Sequence, residues 1–161
     1  MAGKDAGSEA NAGQDNFGEG RSRTPGFALI VLDASAVVEL LTNGSLADPI
    51  RDALAERSDS FVVPHLLDIE VTSALRRLAL ESRVDSHRIG QALAGLAMLP
   101  AQRYAHTPFL DRIWELRRNF TCYDAAYIAL AEATDATIYT CDRKLSKGHR
   151  ARVRVFCEES A

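Results

Sequence analysis

Apolar positions follow two different periods along this chain. Ala28-Leu-Ile-Val-Leu32 is an unbroken apolar run that stops at Asp33, the pattern of a strand buried on both faces. Ser60-Phe-Val-Val63, closed by Pro64, reads as a second strand, with further short ones at Gln102 to Ala105, Thr137 to Thr140 and Arg152 to Phe156. Between them the spacing turns helical. Ser35 to Leu41 is a short helix ended by Thr42-Asn43-Gly44, and Asp48-Pro49 opens another that runs to about Arg57, a cap followed by proline in the first turn. Leu66 to about Glu81, Asp85 to Met98, Thr107-Pro108 to about Arg118, and Tyr123 to Ala133 complete the helices. Short apolar strands alternating with amphipathic helices predict an α/β fold, a parallel β-sheet flanked by α-helices. In such folds the ligand site lies at the carboxyl ends of the strands.

Met1 to Gly26 is compositionally separate. It holds six of the ten glycines and no Leu, Ile or Val, too little apolar surface to offset the entropy of ordering, so residues 1–26 are expected to be a disordered tail and 27–161 a single domain. The tail lacks the apolar core of a secretory signal. The whole chain, 161 residues with 47% apolar, 25% charged and a net charge of −3, has ordinary globular composition, which excludes fibrous and cysteine-stapled classes. Cys122, Cys141 and Cys157 are odd in number and widely spaced, the usage of reduced thiols in a cytoplasmic protein. No apolar run approaches the roughly 18 residues of a membrane span.

Four carboxylates stand out. Asp33 and Asp142 each directly follow a strand, so in a parallel sheet both open on one edge; each is either a turn former and helix cap or part of a site. Glu70 falls within the stripe Leu67, Val71, Ala74, Leu78. A charge on a core-facing stripe needs compensation, either from a buried salt bridge or from a metal ion. Asp124 fits a capping box with Thr121, yet the run after it, Ala125 to Ala131, is apolar nearly all round. Such a helix packs in the core and holds its N-terminus beside the sheet edge.

The order Leu32-Asp33-Ala-Ser35-Ala, Pro64-His-Leu-Leu-Asp-Ile-Glu70-Val, Tyr123-Asp124-Ala-Ala-Tyr-Ile-Ala-Leu-Ala131 and Thr140-Cys-Asp142-Arg-Lys-Leu145 resembles a PIN domain, and more narrowly the VapC-type ribonuclease toxins of bacterial toxin–antitoxin modules. The resemblance spans about Leu29 to Phe156 and implies a three-layer PIN fold. It implies that Asp33, Glu70, Asp124 and Asp142 bind the metal, with Ser35, Thr140 and Asn119 as supporting polar residues. Two positions depart from the pattern: Ala34 stands where the family commonly has Thr, and no second Asp closely follows Asp142.

Phosphodiester hydrolysis asks for such a set, because Mg²⁺ or Mn²⁺ held by hard oxygen ligands activates water and offsets charge on the phosphate. His65, His87, His106 and His149 are scattered and form no Zn²⁺ signature. The tail takes three of the 19 basic and four of the 22 acidic residues, leaving 16 and 18 in the body. The segment after Asp142 carries Arg143, Lys144, Lys147, Arg150, Arg152 and Arg154 before the next acid. It is either a solvated surface or a phosphate contact, with Arg143, Lys144 and Lys147 the candidates for RNA. The resemblance further implies a VapB-type antitoxin that blocks the acidic pocket and carries the DNA-binding function, and a homodimer. Two other readings compete: a haloacid dehalogenase-like phosphatase, which needs a second Asp where Ser35 stands, and a PIN-like binding module without catalysis.

Overall fold

The computed structural model describes residues 29–55 and 60–158. The expected tail, Ala28 at the head of the first strand and the end of the second helix at Arg57 lie outside the described residues. β1 (Leu29–Leu32) is the middle strand of five, with β2 (Ser60–Pro64) and β3 (Ala101–Tyr104) to one side and β4 (Thr137–Thr140) and β5 (Arg152–Val155) to the other. All four pairings are parallel. Position explains composition here. Ile30, Val31 and Leu32 are buried in the centre, whereas edge strand β5 alternates exposed Arg152 and Arg154 with half-buried Val153 and Val155.

The connections are helical: α1 (Ala34–Thr42) and α2 (Ala47–Ala55) after β1, α3 (Leu67–Leu80) and α4 (Ser86–Ala97) after β2, α5 (Leu110–Glu115) and α6 (Cys122–Thr134) after β3. α6 lies on β1, β2 and β4, and α5 packs on α6, while α1 gathers α2, α3 and α4. The seven residues Ala125 to Ala131 are all buried, as a helix apolar on every side requires. The expected α/β architecture is the one the chain adopts.

Three local expectations change. The helix expected from Thr107 to Arg118 is a six-residue α-helix between two 3-10 turns, Thr107–Phe109 and Leu116–Arg118. Both turns close by i→i+3 bonds, Phe109 to His106 at 2.9 Å and Asn119 to Leu116 at 3.0 Å, the usual tightening of short helix ends. α2 begins one residue before Asp48, so Pro49 sits inside the first turn, where no amide partner is lost. On α3 the buried positions are Leu67, Val71 and Leu75, whereas Ala74 and Leu78 are half-buried. Glu70 therefore lies on the flank of the core stripe rather than within it.

Order 3-2-1-4-5 makes the gap between β1 and β4 the place where the winding reverses. Such a switch point opens a crevice beyond the strand ends. Asp33 and Thr140 stand at those two ends.

Candidate active site

Asp33 belongs to the sheet and to a helix at once. Its N–H donates to the Tyr139 carbonyl at 3.0 Å, extending the β1–β4 ladder. Its side chain caps α1 by accepting from the Ser35 N–H at 3.4 Å, since an extended residue with a short oxygen-bearing side chain suits an N-cap. Only 7% of Asp33 is exposed. The fully buried Thr140 hydroxyl donates to Oδ2 at 2.8 Å, and the Ser35 hydroxyl donates to the same oxygen. Each hydroxyl has one proton. Both are spent on Asp33, so the 3.2 Å approach of Ser35 Oγ to Thr140 Oγ1 is a contact between oxygens. Their lone pairs take the Cys141 N–H (2.9 Å, to Ser35) and the Asp142 N–H (2.9 Å, to Thr140). This mesh ties the start of α1 to the end of β4. Burial pushes the Asp33 carboxyl above the ordinary carboxylate range, and the hydroxyl and backbone donors recover only part of that shift.

Glu70 is half-buried, and the Tyr127 hydroxyl donates to its Oε2 at 2.6 Å. Burial raises the Glu70 carboxyl, the Tyr127 bond lowers it, and the charges of Asp33 and Asp124 raise it again. Burial, reinforced by Glu70, Asp33 and Asp124, holds the Tyr127 phenol far above its usual value, so it stays a donor. Sequence reasoning missed Tyr127, which it counted only as part of an apolar helix. The available signal was its place three residues after Asp124, on the same helix face.

Asp124 sits half-buried in the first turn of α6, where negative charge suits the helix terminus. The Thr121 hydroxyl accepts its N–H at 3.1 Å, so the predicted cap contact forms through threonine. The two meanings left open for Asp124 are thus compatible: it lies in a capped turn, and Glu70 and Tyr127 feel its charge. Half-buried Asp142 caps a 3-10 turn, Arg143–Ser146, by accepting the Lys144 N–H at 2.8 Å. Asn119 is exposed in the turn before α6, and the contact described for it is its backbone bond to Leu116.

The basic segment divides. Arg150 pairs with Glu132 at 3.3 Å and Arg152 with Asp135 at 2.9 Å, while Arg154 lies over the Tyr139 and Phe156 rings at 5.6 and 5.2 Å. Glu132 is two turns of α6 beyond Asp124, about 12 Å along the axis, and Arg152 pairs in register with Thr137 at the opposite edge of the sheet. Arg143, Lys144 and Lys147 are exposed in the segment just after Asp142. His149 is structural: its Nδ1 accepts the Ala151 N–H at 3.2 Å, leaving Nε2 to donate to the Leu145 carbonyl at 2.8 Å.

An open cleft of about 580 Å³ lies beside the acids. α1 supplies Ser35 and Glu39 to one wall, α3 supplies Glu70 and Arg77 to the other, and Tyr123 and Cys141 complete it. Among the described residues no three carboxylate, imidazole or thiol groups stand together as a metal site. Burial pushes the half-buried Cys141 thiol up to about 11, helped by Glu39 and Asp33 against the Ser35 bond. What the cleft and the neighbouring Asp33 offer a cation is therefore oxygen, from Glu70 and Asp33, whose charges burial makes costly. That chemistry fits Mg²⁺ or Mn²⁺, which take hard oxygen ligands and keep waters, and does not fit a thiolate–imidazole zinc site.

The PIN domain family pattern matches residues 30–150. VapC ribonuclease Mb0985 of Mycobacterium bovis is 40% identical over 124 residues, covering 77% of this chain and 94% of the relative. Ribonuclease VapC1 of Mycobacterium tuberculosis is 42% identical over 118 residues, covering 72% and 87%. Among solved structures, PAE2754 from Pyrobaculum aerophilum superposes with a TM-score of 0.59 at 23% identity, over 78% of this chain and 83% of that one. VapBC2 from Rickettsia felis, bound to a DNA fragment from its promoter, gives 0.57 at 12% identity over 80% and 99%. At such identities these two speak for the fold. Motif, fold and relatives agree: the chain belongs to the PIN-domain family, among its VapC-type ribonucleases.

Proposed function

We propose that this chain is a Mg²⁺-dependent endoribonuclease, the toxin of a VapBC-type module, with Mn²⁺ able to replace Mg²⁺. The observation that carries the reading is the electrostatic gathering of Asp33, Glu70 and Asp124 at the switch point of the sheet. Like charges are assembled there at a cost that a cation would repay. Asp33, Glu70 and Asp124 would hold the metal, with Asp142 beside them. When bound, the metal supplies an activated water and offsets negative charge on the scissile phosphate.

The chain's own groups prepare the ligands. Ser35 and Thr140 lock the Asp33 carboxylate from one side, and Tyr127 orients Glu70 by its short bond. Arg143, Lys144 and Lys147, which are exposed, would meet flanking phosphates. Asn119 is a supporting polar residue through the resemblance alone. A VapB-type antitoxin would neutralise the acidic cleft with a basic segment and carry the DNA contact, and pairing with a second copy completes the assembly. The proposed place is the cytoplasm; among the described residues no helix is long and apolar enough to cross a membrane.

Purified protein incubated with bacterial RNA should cut it in Mg²⁺ or Mn²⁺ and stop in EDTA. Sequencing the new 5′ ends should give a small set of sites. RNA left intact in both metals would end this reading.

Thr140→Val tests the support of Asp33. The substitution keeps the buried shape and removes a donor to Oδ2 together with the acceptor of the Asp142 N–H. Mg²⁺ affinity, read from the Mg²⁺ dependence of the melting midpoint, should weaken about 10- to 100-fold. An unchanged Mg²⁺ titration would show that Thr140 has only a packing role.

A further inference from the structure

Tyr123 is the exposed tyrosine of the four: Tyr127 and Tyr139 are buried and Tyr104 is half-buried, whereas Tyr123 is 63% exposed beside Asp124. Its position is more specific than exposure alone. The ring lines the acidic cleft with Ser35 and Glu70, and it also lines a second, apolar hollow of about 210 Å³ with Leu66, Leu110, Ala126 and the exposed His106. Tyr123 is thus the ridge between a site for a phosphate and a hollow for something flat and apolar. Seven residues beyond Glu70 along α3, Arg77 is the one cationic side chain among the described residues that line the cleft. Two helical turns, about 10 Å, separate it from Glu70.

Resting on the nuclease reading above, we propose that Tyr123 and Arg77 set the path of the substrate strand. An unpaired base next to the scissile phosphate stacks on Tyr123 in the apolar hollow, with His106 at its polar edge, and a phosphate on the other side of the cut meets Arg77. Acidic walls otherwise repel a polyanion, so a cleft built around carboxylates needs neutral and cationic anchors at its ends. Aromatic faces hold splayed, unpaired bases, which a duplex does not present. The strand then runs from hollow to ridge to acids to Arg77. Tyr123 and Arg77 are positioning residues.

The test uses the full chain in Mg²⁺ and a short unpaired RNA spanning a mapped cut, made also with an abasic nucleotide at each position flanking the cut. Tyr123→Ala should lower kcat/KM about 5- to 150-fold, the range for loss of one stacked base, and Tyr123→Phe should stay near wild type. One abasic position should penalise wild type by a similar factor and penalise Tyr123→Ala little further. Arg77→Ala should flatten the salt dependence of binding in EDTA, lowering the slope of log K against log salt by about 0.7. Equal, additive abasic penalties in wild type and Tyr123→Ala, with an unchanged Arg77 slope, would overturn the proposal and leave the nuclease reading standing. So would a Tyr123→Ala protein that cuts normally but loses its dimer by light scattering, since the ring would then belong to a protein interface. A wild type inert on every RNA fails the nuclease reading itself.

Discussion

Asp33→Asn is expected to lose RNA cleavage by on the order of 10³-fold or more while melting several degrees above wild type in EDTA. On the proposed assignment Asp33 would hold the metal, and its withdrawal would remove several kcal/mol of transition-state charge stabilisation; about 4 kcal/mol corresponds to that factor. The stability gain has a separate cause. Asparagine still caps α1 and still offers an oxygen to the Ser35 and Thr140 hydroxyls, but it carries no charge into a site only 7% exposed. Burial raises the Asp33 carboxyl, so the folded state holds its proton more tightly than the unfolded chain. Its favourable contribution is complete below the unfolded value near 3.8 and is lost as pH rises through the elevated folded one. The advantage of Asp33→Asn should therefore be largest at neutral pH and shrink toward pH 4. Mg²⁺ should raise the wild-type midpoint by mass action and leave the variant nearly unmoved. Calorimetry in EDTA and in Mg²⁺ reads both effects. A variant that melts lower than wild type in EDTA would make Asp33 a plain helix cap, and undiminished cleavage would remove it from the catalytic set.

The second large effect lies away from the cleft. Glu132 has only 7% of its side chain exposed, receives two bonds from Arg112 at 2.7 and 3.0 Å, and accepts the Arg150 N–H at 2.9 Å. Burial works against its charge, but the two arginines together outweigh it and hold the carboxyl down at about 2. This ties α6 to α5 and to the segment leading into β5. Glu132→Gln should cost about 1.5–3 kcal/mol at neutral pH, the scale of hydrogen bonds to charged groups. Here the sign is opposite to that of Asp33. The contribution of Glu132 is fully present above 4.5 and is lost as pH falls toward about 2. The urea midpoints of wild type and Glu132→Gln should thus differ most at pH 7 and converge markedly by pH 3. A gap independent of pH would mean that side-chain packing, not the ion pair, holds this corner together.

The elements themselves were readable because their causes are local. The apolar run into Asp33, the Asp48-Pro49 signal and the all-apolar stretch Ala125 to Ala131 are each read from neighbouring residues, and the chain keeps them to within a residue or so. The four acids were readable for a related reason: Asp33 and Asp142 follow strands, and parallel strands share a carboxyl edge. Whether those acids act together was not readable, since it depends on burial and on partners more than 50 residues away. The Tyr127 bond to Glu70 and the Thr140 bond to Asp33 join positions 57 and 107 residues apart. Likewise, the basic run after Asp142 looks uniform in sequence. Only packing distributes it, with Arg150 and Arg152 taken by Glu132 and Asp135 while Arg143, Lys144 and Lys147 are exposed. Period and capping act over a few residues and are written in the order of the chain. Charge acts through space, and its effects follow only once strand order 3-2-1-4-5 has decided which residues meet.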